Sequence, residues 1–297
     1  MVGGPGAPLS VPAPLLALTA AFCFAVARVF VKRGLLYATP LTAVAISVIF
    51  TAAFLWILAA LTTPLRHLAS AGILPFVVAG FFAPGLGRLL VYVGVGRVGA
   101  ARASALSGTA PLFAILLAVL ALGERPTWNL VGGAACVVAG GAVLSQEGRA
   151  SATWRPRDLL FPLAGAASFA LRDSISRWAL HDFPHPTLAA VVATMTSMAV
   201  IAAFGAGRRR EVRLDARGLG YLALSGVFEG LASVALWAAL ATGEVSVVSP
   251  LVHAQPIFTV VLAGVFLRDL ERVTWRTSAA AAAVVAGAAL VVRAGAG

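Results

Sequence analysis

Long runs of apolar residues dominate the chain, and short polar stretches separate them. An α-helix rises about 1.5 Å per residue, so about 20 consecutive apolar residues are enough to span a bilayer. Ten runs approach this length, and each one predicts a transmembrane helix. The predicted spans are residues 11–31, 40–62, 71–94, 101–122, 127–145, 158–179, 186–206, 217–241, 246–267 and 274–293. The pattern therefore predicts an all-α integral membrane protein with ten transmembrane helices.

The longest polar stretch between two runs extends from Gln146 to Asp158 and divides the chain into halves. We expect a first five-helix repeat over residues 11–145, a linker over 146–157 and a second five-helix repeat over 158–294. No cation precedes the first apolar run and Lys32-Arg33 follows it, which favours a retained helix over a cleaved signal peptide.

The two halves are also related in sequence. A shift of 145 residues places Pro111-Leu112-Phe113 on Pro256-Ile257-Phe258. After a two-residue insertion, Glu124-Arg125-Pro126-Thr127-Trp128 falls on Glu271-Arg272-Val273-Thr274-Trp275. Since each half contains an odd number of helices, the second half must enter the bilayer upside down relative to the first. Inverted repeats are typical of secondary transporters, whose substrate site lies near the membrane midplane between the repeats.

The composition excludes several classes of protein. Of the 297 residues, 60% are apolar and 11% are charged, whereas a soluble domain carries about 25% charged residues. A soluble enzyme, a disordered chain and a disulfide scaffold are therefore excluded. The net charge of +11 comes from arginines that lie mostly between apolar runs, so the positive-inside effect explains it better than nucleic-acid binding. The sequence shows no catalytic motif and predicts neither a metal site nor a cofactor.

The chain resembles a known group, the EamA-type family of the drug/metabolite transporter superfamily. The resemblance is carried by Pro111-Leu112-Phe113 through Leu122-Gly123-Glu124, and by Pro256-Ile257-Phe258 through Phe266-Leu267 and Glu271. The second copy departs from the pattern, since Arg268-Asp269 stands where Gly-Glu is expected. The resemblance implies ten helices in two repeats and transport of small metabolites, amino acids among them.

Charged side chains inside the predicted spans are the main candidates for function. A charge at the centre of a bilayer costs about 2.5–3.5 kcal/mol, so such residues should face the protein interior and be paired. The candidates are Arg28, Arg88, Arg172, Asp173 and Glu229. The 145-residue shift places Arg28 on Asp173, and it places Pro84, one turn before Arg88, on Glu229. These pairs are therefore expected to meet across the two-fold axis.

Two interpretations of these charges remain open. In the first, Arg88 attracts a carboxylate-bearing substrate, and Glu229 or Asp173 takes up a proton and couples transport to the proton gradient. In the second, the charges are static ion pairs that fix helix packing. Further candidates for the substrate path are Tyr92, Trp237, His253 and Gln255. For the two aromatic rings, packing against neighbouring helices or a place in the membrane-interface belt is the alternative.

Pro111 and Pro256 lie about ten residues into their predicted helices, where a proline removes a backbone hydrogen bond. Because both repeats carry this proline, we expect two hinges near mid-bilayer, with freed carbonyls facing a cavity. A tolerated kink that serves packing alone is the alternative.

The leading hypothesis is a secondary transporter that exports a small metabolite, such as an amino acid, across the plasma or inner membrane. Its expected partners are the small-molecule substrate and the lipid bilayer, and a homodimer through helices 5 and 10 is a further option. The alternatives are an integral-membrane enzyme acting on lipid and a non-catalytic partner subunit. The sequence does not favour the enzyme, because its His and carboxylate residues are scattered.

The charge distribution predicts an orientation in the membrane. Odd-numbered connections between the helices carry fifteen cations, whereas even-numbered connections and the termini carry four. The positive-inside rule places the odd connections in the cytoplasm and both termini outside. The family resemblance implies the opposite orientation.

Overall fold

The computed structural model describes residues 11–98, 106–144, 155–206, 215–266 and 275–294. Within these ranges the chain forms twelve α-helices. They are α1 (Ala13–Gly34), α2 (Pro40–Thr62), α3 (Leu74–Gly80), α4 (Gly87–Val98), α5 (Ala110–Leu122), α6 (Trp128–Leu144), α7 (Leu160–Asp182), α8 (Pro186–Ala206), α9 (Ala216–Thr242), α10 (Val245–His253), α11 (Gln255–Phe266) and α12 (Trp275–Ala294).

These helices make up ten spans, because two of the spans each contain two helices. The third span consists of α3, a π-helical turn over Phe81–Leu86, and α4; the ninth consists of α10 and α11. Within the described ranges, five helical stretches are long and apolar enough to cross a membrane, and three others are shorter apolar helices. The prediction of an all-α membrane protein with two inverted five-helix repeats is confirmed.

The packing of the helices follows a two-fold relation between the repeats. Helix α1 packs along α9, and its equivalent α7 packs along α3 and α4, the span equivalent to α9. Helix α5 contacts α7, just as α10 and α11 contact α1. Helices α2 and α6 pack on their own equivalents, α8 and α12. This exchange of partners between five-span halves is the packing expected of an inverted repeat.

The seam between α6 and α12 depends on two glycines. A Cβ added at Gly133 would lie 2.7 Å from the carbonyl oxygen of Gly287, and one added at Gly287 would lie 2.6 Å from the carbonyl oxygen of Gly133. Only residues without a side chain allow the backbones to approach this closely. This face is used within the chain, so a homodimer through helices 5 and 10 would have to use their outward faces and stays a prediction.

The broken helices occur at equivalent positions of the two repeats. Thr109 (φ −78°, ψ −2°) precedes α5 and Ala254 (φ −71°, ψ −4°) separates α10 from α11. These two residues are equivalent under the 145-residue shift. A third break occurs at Ala83 (φ −153°, ψ 135°), just before Pro84. Helix α9, which is equivalent to this interrupted span, has no such break, so the two halves differ at this point.

Candidate substrate pathway

An ion pair joins the third span to the eighth. Nη2 of Arg88, on α4, lies 3.3 Å from Oε1 of Glu229, on α9, and the two side chains are 24% and 17% exposed. Both residues lie near the middle of their spans. The pair is therefore partly buried at mid-span.

Close packing of α2 on α9 brings a hydroxyl to the same carboxylate. A Cβ added at Gly226 would lie 2.5 Å from the carbonyl oxygen of Ser47, so α2 can approach α9 here only because residue 226 is glycine. Thr51 then donates to the carbonyl of Gly226 at 2.9 Å, and its Oγ1 lies 3.5 Å from Oε2 of Glu229. Glu229 thus sits between a guanidinium and a hydroxyl from two other spans.

A second polar cluster surrounds the break in the ninth span. With the Gln255 amide oriented by its hydrogen-bonding network, its oxygen accepts from both Nη2 and Nε of Arg28, the former at 3.2 Å. The Nδ1–H of His253 donates to the carbonyl of Ser249 at 2.8 Å. This bond fixes the tautomer of the neutral imidazole, so Nε2 is left as a hydrogen-bond acceptor. His253 also interacts electrostatically with Arg28, Arg172 and Asp173.

Arg172 and Asp173 form a buried pair within α7. The guanidinium donates to Oδ1 of Asp173 from Nη2 at 2.7 Å and from Nε at 2.9 Å, and the side chains are 9% and 1% exposed. The expected meeting of Arg28 with Asp173 is therefore wrong. The carboxylate of Asp173 pairs with its neighbour Arg172, and the side chain of Arg28 bonds to Gln255. Because α7 continues to Asp182, Asp173 also lies nearer the middle of its helix than the predicted span implied.

The structure places the two prolines and Trp237 differently from the prediction made from the sequence. Pro111 and Pro256 stand at the second position of α5 and α11, directly after a break, rather than in the middle of a continuous helix. Proline is well tolerated there because the first helical N–H groups have no intrahelical partner. Trp237 is 3% exposed and packs on Phe76 with ring centroids 5.5 Å apart, so it lies in the hydrophobic core. The side chain of Tyr92 lies outside the part that the structure describes.

Glu124 has a role that sequence reasoning missed. Its carboxylate accepts from the N–H groups of Val245 and Ser246 at 2.9 and 3.0 Å. Thr51 was also missed, because a lone threonine in an apolar run commonly bonds its own backbone. For Glu124 the available signal was the charge itself, which stands at the end of an apolar run where the chain needs only a turn.

The fold and this constellation define a class of protein. Two inverted repeats, broken helices and a charged, partly exposed centre are the features of a multi-pass membrane transporter. The profile of the EamA-like transporter family matches residues 11–146 and 157–293, which correspond to the two repeats. The chain belongs to the EamA-like transporter family, a family of membrane transporters of small compounds.

The fold is also found in solved structures. One, described only as the crystal structure of a protein, superimposes with a TM-score of 0.78 over 94% of this chain and 98% of that chain, at 19% sequence identity. At this identity the likeness concerns the fold alone. The chain has no match among curated proteins.

Proposed function

We propose that this protein exports a small carboxylate-bearing metabolite, such as an amino acid, across the plasma membrane in exchange for protons. The observation that carries the proposal is the polar cluster at the break of the ninth span. It brings together the guanidinium groups of Arg28 and Arg172 and the carboxylate of Asp173. Guanidinium groups in a water-poor site favour an anionic group on the ligand.

The cluster also offers groups for the rest of an amino-acid-like ligand. Nε2 of the neutral His253 can accept a hydrogen bond from an ammonium group. The amide of Gln255 keeps the Arg28 guanidinium in one orientation, so less conformational entropy is lost when a carboxylate binds. A ligand with adjacent anionic and cationic groups matches this arrangement better than a neutral sugar does.

Proton coupling is assigned to Glu229. Protonation of this carboxylate would remove the charge that attracts Arg88 and joins α4 to α9. Because these helices belong to different repeats, the protonation state of Glu229 would bias how the repeats pack. Alternating access needs such a bias, since two nearly equivalent halves otherwise exchange conformations without direction.

A thermal-shift screen of the purified protein against amino acids, organic acids, nucleosides and sugars tests the substrate class. A bound ligand raises the unfolding midpoint by mass action, and we expect the shift from amino or organic acids. The shift should disappear in Arg28→Gln and persist in Asp182→Asn, whose exposed carboxylate lies at the end of α7. A shift from nucleosides or sugars alone would contradict the proposal.

Transport of the identified ligand into proteoliposomes then tests coupling. In Glu229→Gln we expect transport to lose its dependence on an imposed pH gradient, because the glutamine cannot be protonated in this range. Asp182→Asn serves as the matched control and should keep the dependence. Transport by Glu229→Gln that still follows the gradient, with normal protein levels, would remove Glu229 as the coupling group.

A further inference from the structure

Glu124 bridges the two repeats at one face of the membrane. It belongs to the connection between α5 and α6 of the first repeat, whereas Val245 and Ser246 begin α10 in the second. Its two carboxylate oxygens each accept one backbone N–H, at 2.9 and 3.0 Å. We call this contact between Glu124 and the N-terminus of α10 the clasp.

The clasp is a strong contact by its chemistry. The first N–H groups of a helix have no intrahelical partner and carry the positive end of the helix dipole, so a carboxylate bonded to two of them is well stabilised. Gly123 positions the carboxylate: it ends α5 in a left-handed conformation with φ +69°, which directs the chain back across the helix end. The N–H of Glu124 donates to the carbonyl of Ala118 at 3.1 Å, which fixes its backbone.

The clasp borders a pocket that opens to solvent. The pocket has a volume of about 380 Å³ and is lined by both repeats, with Glu124 from the first and Arg177, Trp178 and Glu244 from the second. On the far side of the clasp, α10 is buried, and Ser246 and Ser249 are 0% exposed. Glu124 therefore stands at the boundary between water and the protein interior.

Helix α10 connects this boundary to the central cluster. It is nine residues long and ends at His253, directly before the break at Ala254. His253 is the last residue of α10. Because its imidazole is also bonded to the carbonyl of Ser249, a movement of α10 carries this side chain with it. The helix is thus fixed at its outer end by the clasp, and the break at Ala254 separates its inner end from α11.

We infer that Glu124 is a gating residue: the clasp keeps this membrane face closed, and its release lets α10 move away and opens the pocket to the central cluster. This inference concerns the opening of the pathway and needs neither the identity of the substrate nor proton coupling. A carboxylate fits the role better than a hydrophobic contact, because water from the pocket can solvate it once the clasp opens.

The test measures how often the buried part of α10 around Ser249 becomes accessible to solvent. In a chain without its native thiols (Cys23→Ala, Cys136→Ala), Ser249→Cys is the reporter, and its reaction rate with a charged thiol reagent is followed in detergent. A second reporter, Ala79→Cys, lies fully buried in α3. Each is combined with Glu124→Gln, Glu124→Asp or the control Asp182→Asn, which changes an exposed carboxylate lining the same pocket. The unfolding midpoint of every variant is recorded.

We expect Glu124→Gln to raise the reaction rate of Ser249→Cys about tenfold, the factor that loss of a charged hydrogen bond produces. Glu124→Asp keeps the charge but is one methylene shorter, so its rate should rise less. Neither variant should change the rate at Ala79→Cys, and Asp182→Asn should change neither reporter. An unchanged rate at Ser249→Cys in both Glu124 variants would overturn the inference. Equal acceleration at both reporters with a lowered midpoint would do so as well, because Glu124 would then stabilise the whole fold rather than one gate.

Discussion

The two ion pairs within the spans differ in how they are built. Arg88 and Glu229 are 141 positions apart in sequence and meet through tertiary packing, with both side chains partly exposed. Arg172 and Asp173 are neighbours in one helix, and both are nearly sealed from solvent. The exposed pair is suited to a change of protonation or partner. In the buried pair each charge depends on the other, because a charge left alone there has no water to solvate it.

Replacing Asp173 by asparagine should therefore be costly. The Arg172 charge would be left buried without its counter-ion, and we expect the free energy of unfolding to fall by about 3–5 kcal/mol. The double variant Arg172→Gln/Asp173→Asn removes both charges and should lose less than the single variant. Denaturant unfolding of the purified protein measures both. If the double variant were as unstable as Asp173→Asn alone, the uncompensated charge of Arg172 would not be the cause of the lower free energy of unfolding.

Asp158 provides a pH-dependent contribution to stability outside the spans. Its carboxylate accepts from the backbone N–H of Arg155 at 2.9 Å and from Nη1 of Arg97 at 2.9 Å. These two bonds favour the charged form and hold the pKa of Asp158 below its ordinary value. A lowered pKa in the folded state means that the stabilisation is present at neutral pH and is lost as the pH falls through that pKa.

Asp158→Asn should therefore lower the thermal unfolding midpoint near pH 7, and its difference from wild type should be smaller at a pH below the lowered pKa of the Asp158 carboxyl, where the wild-type group is protonated. The control is Asp182→Asn, whose carboxylate is exposed and pairs with His181. It should leave the midpoint unchanged near neutral pH. A difference between wild type and Asp158→Asn that is the same at both pH values would show that charge is not involved.

At the scale of the helix, the α6–α12 seam offers a pair of adjacent glycines with opposite surroundings. A Cβ at Gly133 meets the backbone of Gly287, whereas a Cβ at Gly132 has nothing within 4 Å. Backbone atoms of a packed helix cannot move aside as the end of a flexible side chain can. The same substitution should therefore have opposite effects at the two positions.

Gly133→Ala should lower the free energy of unfolding by about 1–3 kcal/mol through overpacking. Gly132→Ala should be neutral or raise it by up to about 1 kcal/mol, since alanine is the better helix former. Thermal unfolding of the two purified variants compares them directly. If both variants behaved alike, the close approach of α6 and α12 would not be the reason for the glycine.

At the scale of the whole molecule, the clasp and the cation-poor connections lie at the same membrane face. Glu124 follows the fourth span, so it belongs to the even-numbered connections that the charge count places outside the cell. With this orientation, the clasp closes the external face.

A reporter fused to Gly297 tests the orientation. The excess of cations in the odd connections, fifteen against four, leads us to expect activity from an enzyme reporter that works only outside the cytoplasm. A fluorescent reporter that matures only in the cytoplasm is the complementary fusion and should be dark. Fluorescence together with an inactive enzyme fusion would reverse the orientation and place the clasp at the cytoplasmic face.

Much of the candidate site could be anticipated because it depends on the repeat. Because Pro84 is equivalent to Glu229 in the repeat, Arg88 was expected one turn from the position that corresponds to Glu229. The side chains of Arg88 and Glu229 do meet. The same argument failed for Arg28 and Asp173, because it takes no account of a neighbour such as Arg172 that binds the carboxylate first. Repeat symmetry constrains the backbone, whereas the choice among nearby partners is made by side-chain reach and competition.

The sequence by itself determined the ten spans and their inverted arrangement, because the hydrophobic length of a helix and an odd number of spans per repeat are local or countable properties. Only the tertiary structure decided the contacts of Glu124 with α10, of Thr51 with Glu229 and of Arg28 with Gln255. Each joins elements far apart in the chain. Their meeting depends on how closely small residues such as Gly226 let two helices approach, and a hydrophobic pattern does not contain that distance.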